Sequence, residues 1–118
     1  MSIEAVTERA PRGATANGVM NALVYGGPGQ RTWDIKPKPT IRERGDAIVR
    51  ITRSTICGTD LHILKGDVPS VTPGRILGHE GVGVIEAVGS SVTSFHAGDL
   101  VLISCITACG ICDFCRRR

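Results

Sequence analysis

The sequence has few aromatic residues, with one Trp, one Tyr and two Phe among 118 residues. It also lacks an apolar run near the roughly 20 residues that a membrane-spanning helix needs. The formal net charge of +3 is too small to indicate a nucleic-acid-binding surface. We therefore predict neither a membrane nor a nucleic acid as a partner.

The start of the chain lacks the hydrophobic stretch of a secretory signal and mixes acidic with small and polar residues. We predict a disordered tail over residues 1–18 and a single domain over residues 19–118. Three of the five cysteines fall within seven residues, which favours metal ligation over disulfide pairing. This usage predicts a reducing compartment, the cytoplasm.

Glycine is abundant, at 15 residues, and a composition rich in glycine and β-branched residues favours short strands joined by tight turns. A short helical turn is predicted over Gly58–Lys65, with Thr59 or Asp60 near its N-cap position. Trp33 is expected to pack, and Cys105 to be a buried strand residue. The last predicted strand has the continuous apolar run expected of burial on both faces. The predicted strands are Val19–Tyr25, Arg31–Lys36, Asp46–Ile56, Gly81–Val88 and Asp99–Ile106.

A dinucleotide-binding unit would show a strand, a Gly-x-Gly-x-x-Gly turn and a long helix. Gly81-Val82-Gly83 is followed by Val84-Ile85-Glu86, so the third glycine is missing. No long amphipathic helix pattern is present either. We therefore predict that this sequence contains no Rossmann unit.

One group of candidate metal ligands combines Cys57 with the adjacent His79 and Glu80. A catalytic zinc takes about three protein ligands and keeps one position open, and a thiolate with an imidazole suits zinc better than magnesium or calcium. Thr59 and His62 could pass a proton from a bound alcohol to solvent. Spacing alone leaves the alternatives open, because a Cys after a strand is often a small buried hydrophobe and a His–Glu pair is often an ordinary surface pair.

A second group is the Cys-x-x-Cys-x-x-Cys stretch formed by Cys109, Cys112 and Cys115. Three close thiols indicate a metal site, although structural zinc usually takes four closed ligands. An iron–sulfur site is a competitor, because one ferredoxin pattern begins with the same spacing and adds a fourth Cys. A redox pair is less favoured, since the expected βαβ context is absent.

Several motifs in the same order resemble the medium-chain, zinc-dependent alcohol dehydrogenases. Cys-Gly-Thr-Asp-Leu-His at 57–62 is followed by Gly-His-Glu at 78–80, and the whole stretch 78–92 is similar to the zinc signature of that family. Residues 20–25 resemble its opening strand, and Gly-Asp-Leu-Val at 98–101 resembles its Gly-Asp-x-Val strand. The resemblance covers nearly everything after residue 19.

The resemblance implies a mainly β fold, a GroES-like, partly open β-barrel with short helical turns. It implies that Cys57 and His79 ligate a catalytic zinc, with Glu80 a ligand or an exchanging neighbour, and that Thr59 and His62 form a proton relay. It also implies that the three cysteines of the second group are the first three ligands of a structural zinc. The family supplies one further catalytic ligand and a fourth structural Cys downstream of the positions matched here.

The implied activity is oxidation of an alcohol to an aldehyde or ketone with NAD or NADP, by an enzyme that forms homo-oligomers. Because the cofactor domain supplies most of the nicotinamide site, we expect the 118-residue chain alone to be inactive. The alternative is a non-catalytic zinc-binding or interaction module, such as a truncated gene product. A function like that of the co-chaperonin GroES is disfavoured, because it gives no reason for Cys57, His79 and the cysteine-rich stretch.

Overall fold

The computed structural model describes residues 18–106 and 108–117, which are mainly β. The predicted partly open architecture is confirmed, because the strands form a two-stranded and a three-stranded sheet, and neither closes on itself in the described ranges. The predicted tail lies outside these ranges except for Gly18, whose carbonyl accepts the Lys38 N–H at 2.8 Å. The elements in chain order are β1 (Val19–Gly27), β2 (Gln30–Pro37), β3 (Ala47–Ser54), α1 (Gly58–Lys65), β4 (Gly81–Val88), β5 (Leu100–Ile103) and α2 (Asp113–Arg116).

Strand β1 is hydrogen-bonded along both edges. One edge pairs antiparallel with β2. The other edge receives the segment 74–77, where Tyr25 N–H donates to the Arg75 carbonyl and Leu77 N–H donates to the Leu23 carbonyl, both at 2.8 Å. This edge pairing fixes the position of the chain just before the residues that enter β4.

Strand β4 is the centre of the second sheet, antiparallel to both β3 and β5. Gly83 allows β3 to approach, because a Cβ at this position would collide with the Arg50 backbone carbonyl. The core of the described residues is small, and its buried apolar side chains are Ala22, Val24, Tyr25 and Ile85.

Helix α1 occupies the predicted range Gly58–Lys65, and this prediction is confirmed. The N-cap residue itself is Cys57, whose extended backbone and sulfur acceptor satisfy the first turn, and Asp60 takes part in the cap as its N3 partner. The helix ends at Gly66, which takes the left-handed conformation with φ of 87°. Gly29 N–H in the β1–β2 turn donates to the Leu64 carbonyl at 2.7 Å, which ties the helix end to the hairpin.

Three burial predictions were wrong. Strand β5 is shorter than predicted, and Leu100 and Leu102 are 72% and 79% exposed instead of buried on both faces. Cys105 lies beyond the strand and is exposed, and Trp33 is 67% exposed. The reason is common to all of them: β5 and β2 are edge strands, and no second layer covers these side chains among the described residues.

Candidate metal centre

Cys57 is held at the junction between β3 and helix α1. Its sulfur accepts the Thr59 N–H at 3.3 Å, and its own N–H donates to Asp60 Oδ2 at 3.0 Å, which together make a capping box. Hydrogen bonds from the side chain and backbone of Thr59 lower the pKa of the Cys57 thiol. The helix start therefore favours the thiolate, which is the form that ligates metals.

His79 comes to Cys57 from a distant part of the chain. It follows the segment that pairs with β1, and its Nε2 lies 3.1 Å from Cys57 Sγ. The hydrogen bond with Cys57 raises the pKa of His79. Sulfur and nitrogen therefore share a proton, and a cation bound between them would displace it.

The carboxylate of Glu80 lies close to the ring nitrogen of His79 that faces Cys57. Its Oε1 is 3.9 Å from His79 Nε2, too long for a hydrogen bond but near enough for both groups to approach one ion. Its side chain is about one-third exposed. Glu80 thus lies beside His79, but the group whose ligand atoms all lie within 4.8 Å of one another consists of Cys57, Asp60 and His79, without Glu80.

Asp60 is the functional candidate that the sequence analysis treated only as a helix cap. It is 6% exposed, and its Oδ1 lies 3.6 Å from His79 Nδ1 with no hydrogen-bond partner. Histidines that ligate metals usually donate their second ring N–H to a carboxylate, and this geometry suits that role. The sequence did offer a signal for placing Asp60 beside Cys57. Asp60 follows Cys57 by three residues, which is the spacing of a capping box.

The donor atoms at this site fit zinc. A thiol, an imidazole and a carboxylate, from Cys57, His79 and Asp60, offer ligand atoms within 4.8 Å of one another. Sulfur with nitrogen favours zinc over hard cations, which prefer oxygen alone. The buried carboxylate oxygen without a partner is a further sign that the site is arranged around positive charge.

The predicted relay residues, Thr59 and His62, lie on the same helix one turn apart. Thr59 is next to the Cys57 sulfur, as its hydrogen bonds show. His62 instead pairs with Asp67, with Nδ1 3.0 Å from Oδ2, and its side chain is 62% exposed. The structure thus brings Thr59 to the metal site and turns His62 toward solvent, beside a carboxylate that the sequence analysis did not single out.

An apolar groove of about 750 Å³ reaches the site between the two sheets. Asp60, His79 and Glu80 lie on its wall, so the polar groups meet a largely apolar space. Such a combination is usual for sites that bind small organic ligands. The apolar side chains that line the groove include Met20, Leu23, Trp33, Ile51, Ile56, Leu61, Leu64, Ile76, Leu77 and Ile103.

The cysteine-rich stretch forms a second group, which we call the cysteine loop (residues 109–115). Cys115 Sγ lies 3.9 Å from Cys109 Sγ and 3.5 Å from Cys112 Sγ. Backbone hydrogen bonds from Ile111 and then Cys112 lower the pKa of Cys109 to about 7. The predicted grouping of the three thiols is thus present, and all three reach solvent.

The sequence was compared with known proteins. A family model described as the alcohol dehydrogenase GroES-like domain matches residues 43–118. A zinc-type alcohol dehydrogenase-like protein of Schizosaccharomyces pombe is 44% identical over 92% of this chain and 25% of its own length. This chain therefore spans about a quarter of that relative.

Solved structures agree with the family match. A zinc-dependent alcohol dehydrogenase from Streptococcus pneumoniae, solved in its apo form, has a TM-score of 0.79 at 54% identity, over 83% of this chain and 28% of that one. A protein described as a short chain alcohol dehydrogenase from Escherichia coli CFT073, solved with NADH, has a TM-score of 0.68 at 32% identity, over 84% and 28% of the two chains. In the part of the chain that the structure describes, no helix is long and apolar enough to cross a membrane.

Proposed function

Because this chain belongs to the alcohol dehydrogenase GroES-like domain family, we propose that residues 19–118 are the zinc-binding catalytic part of an NAD- or NADP-linked alcohol dehydrogenase. The observation that carries the proposal is the 3.1 Å approach of Cys57 Sγ to His79 Nε2, with a buried carboxylate behind the imidazole. The similarity to the yeast and bacterial enzymes supports it, although this chain covers about a quarter of their length.

In this proposal, Cys57 and His79 ligate the catalytic zinc, and Glu80 is a ligand or a neighbour that exchanges with one. Asp60 positions both ligands, since it accepts the Cys57 N–H and faces Nδ1 of His79. That arrangement directs the other ring nitrogen, Nε2, toward the metal.

Zinc supplies a Lewis acid at the alcohol oxygen, which eases loss of its proton near neutral pH. Thr59 is near enough to Cys57 to accept that proton on its hydroxyl, and His62 would pass it to solvent with help from Asp67. The apolar groove would hold the carbon part of the alcohol and exclude water. The hydride would go to NAD or NADP, and the structural neighbour solved with NADH supports a nicotinamide cofactor.

Zinc content of purified variants tests the ligand set. Cys57→Ser and His79→Ala should each remove one equivalent of zinc from the chain, measured by mass spectrometry of the metal. Cys105→Ser is the matched control, because Cys105 is also a free thiol but belongs to neither group of candidate ligands. Equal zinc in all three variants and the wild type would remove the basis of the proposal.

Cobalt gives an independent readout of the same site. Co²⁺ bound through a thiolate absorbs strongly in the near ultraviolet, so Cys57→Ser should lose part of that band. Cys57→Ser should also lower the Co²⁺ absorbance of a chain whose three cysteine-loop thiols are already replaced by Ser. If the band comes from the cysteine loop alone, the chain is better described as a zinc-binding module without a catalytic site.

A further inference from the structure

The end of helix α1 contains a backbone motif that places Asp67 beside His62. Gly66 has a left-handed φ of 87°, and its N–H donates to the Ile63 carbonyl at 2.9 Å. The N–H of Asp67 donates to the His62 carbonyl at 3.0 Å. These two bonds make a Schellman motif, in which the residue after the glycine folds back onto the last turn of the helix. The backbone therefore brings the two residues together before their side chains are considered.

The side chains of the same two residues also meet. An apolar contact between these two positions frequently accompanies the motif. Here the contact is polar instead, with His62 Nδ1 3.0 Å from Asp67 Oδ2. Both side chains are more than half exposed, and exposed pairs are usually held weakly because two side chains lose freedom. In this pair the backbone bond has already ordered both residues, so less freedom is left to lose.

We propose that Asp67 is a positioning residue for the proton relay and that it holds neutral His62 with its hydrogen on Nδ1. The inference rests on the proposed function, in which His62 belongs to the relay. An ionised carboxylate only accepts hydrogen bonds, so Nδ1 carries the hydrogen that joins it to Asp67 Oδ2. Nε2 is then bare and able to accept a proton. A free neutral histidine favours the opposite tautomer, with hydrogen on Nε2, so it is Asp67 that selects this one.

The consequence for the relay is that one ring atom of His62 does the proton transfer. A proton that comes from Thr59 is taken up at Nε2, and the imidazolium formed keeps its Nδ1–H on Asp67. The proton then leaves Nε2 for water, since the side chain is 62% exposed, and neutral His62 is restored. Asp67 stays ionised throughout, as does the carboxylate that orients the imidazole in a serine protease.

The tautomer is read by nitrogen-15 NMR of the 118-residue chain. In a neutral imidazole the bare nitrogen resonates far downfield of the protonated one, so long-range ¹H–¹⁵N spectra at a pH where His62 is neutral locate the hydrogen. The downfield nitrogen should be Nε2 in the wild type and Nδ1 in Asp67→Ala. His96 is the internal control, because its Nδ1 lies 3.9 Å from Asp99 Oδ2, too long for a hydrogen bond. The His96 signals should be the same in both proteins.

Gly66→Ala tests the backbone motif without changing either side chain of the pair. A Cβ at Gly66 would lie 2.9 Å from Pro28 Cγ, and the positive φ strains any residue with a side chain. The substitution should therefore loosen the motif and reduce the fraction of His62 that carries hydrogen on Nδ1. Gly45→Ala is the matched control, because there is open space around Gly45 and its φ is not positive.

Circular dichroism checks that Asp67→Ala keeps its fold, which is expected because the side chain is 54% exposed. A wild-type His62 whose downfield nitrogen is Nδ1, or a His62 spectrum that Asp67→Ala leaves unchanged, would overturn the proposal. Cys57→Ser should leave the tautomer as it is, since Ser can still cap the helix. Loss of the zinc site with the Nδ1–H form retained would refute the proposed function alone, and the reverse result would refute only the role of Asp67.

Discussion

Replacement of Asp60 by Asn tests how a single buried carboxylate positions two metal ligands. Asn keeps the shape of the side chain, and its amide oxygen can still accept the Cys57 N–H that Asp60 accepts at 3.0 Å. The negative charge 3.6 Å from His79 Nδ1 is lost. We therefore expect a selective effect on the metal site and little effect on the helix.

The magnitude follows from the two contacts. Loss of an outer carboxylate behind a ligating His lowers metal affinity by about 10- to 100-fold. Asp60→Asn should change the free energy of unfolding by less than about 1 kcal/mol, since the cap acceptor remains. Asp60→Ala removes that acceptor as well and leaves the Cys57 N–H unsatisfied, at a cost of roughly 1–3 kcal/mol.

Zinc affinity is measured by competition with a chromophoric chelator, and the free energy of unfolding by urea titration of the metal-free chain. Asp67→Asn is the control, because this carboxylate also faces an imidazole, that of His62, but is exposed. If Asp60→Asn binds zinc as tightly as Asp67→Asn does, Asp60 is a helix cap and nothing more.

Gly83→Ala should destabilise the chain by about 1–3 kcal/mol in urea, because its Cβ would collide with the β3 backbone, whereas Gly45→Ala, with open space around it, should be nearly neutral. Tyr25→Ala should cost about 3–5 kcal/mol, since Tyr25 is 3% exposed, and Trp33→Ala less than about 1 kcal/mol; equal effects would refute the burial pattern. Since the pKa of Cys109 is lowered to about 7, its alkylation in the zinc-free chain should rise with pH and reach half its limiting rate near pH 7. Peptide mass spectrometry measures that rate, and a midpoint near pH 9 would contradict the hydrogen bonding of the cysteine loop.

Local patterns in the sequence predicted the secondary structure well. The helix over Gly58–Lys65 and the strand over Gly81–Val88 have the predicted bounds. Here short-range signals agree with the tertiary structure, since Gly66 ends the helix and Gly83 lets β3 approach β4. The assignment of Cys57 and His79 as zinc ligands came from the family resemblance and stays a prediction.

Features that depend on distant parts of the chain could not be read from the sequence. The family resemblance led us to expect Cys57 and His79 at one zinc, but the pairing of segment 74–77 with β1, which positions His79, was not expected. Apolar alternation shows that a strand has an apolar face but not whether another layer covers it, and this is why Leu102 was wrongly expected to be buried. The contact of Asp60 with His79 was missed for the same reason.

His79 lies in the short stretch between segment 74–77, which pairs with β1, and β4, which pairs with β3. Cys57 follows the end of β3, and Ser54 of that strand pairs with Gly81 of β4, so both ligands lie beside the same sheet. An ion held by both would close a loop of 22 residues and restrict the unfolded chain, much as a covalent cross-link does. The melting temperature of this chain should therefore climb with the concentration of free zinc.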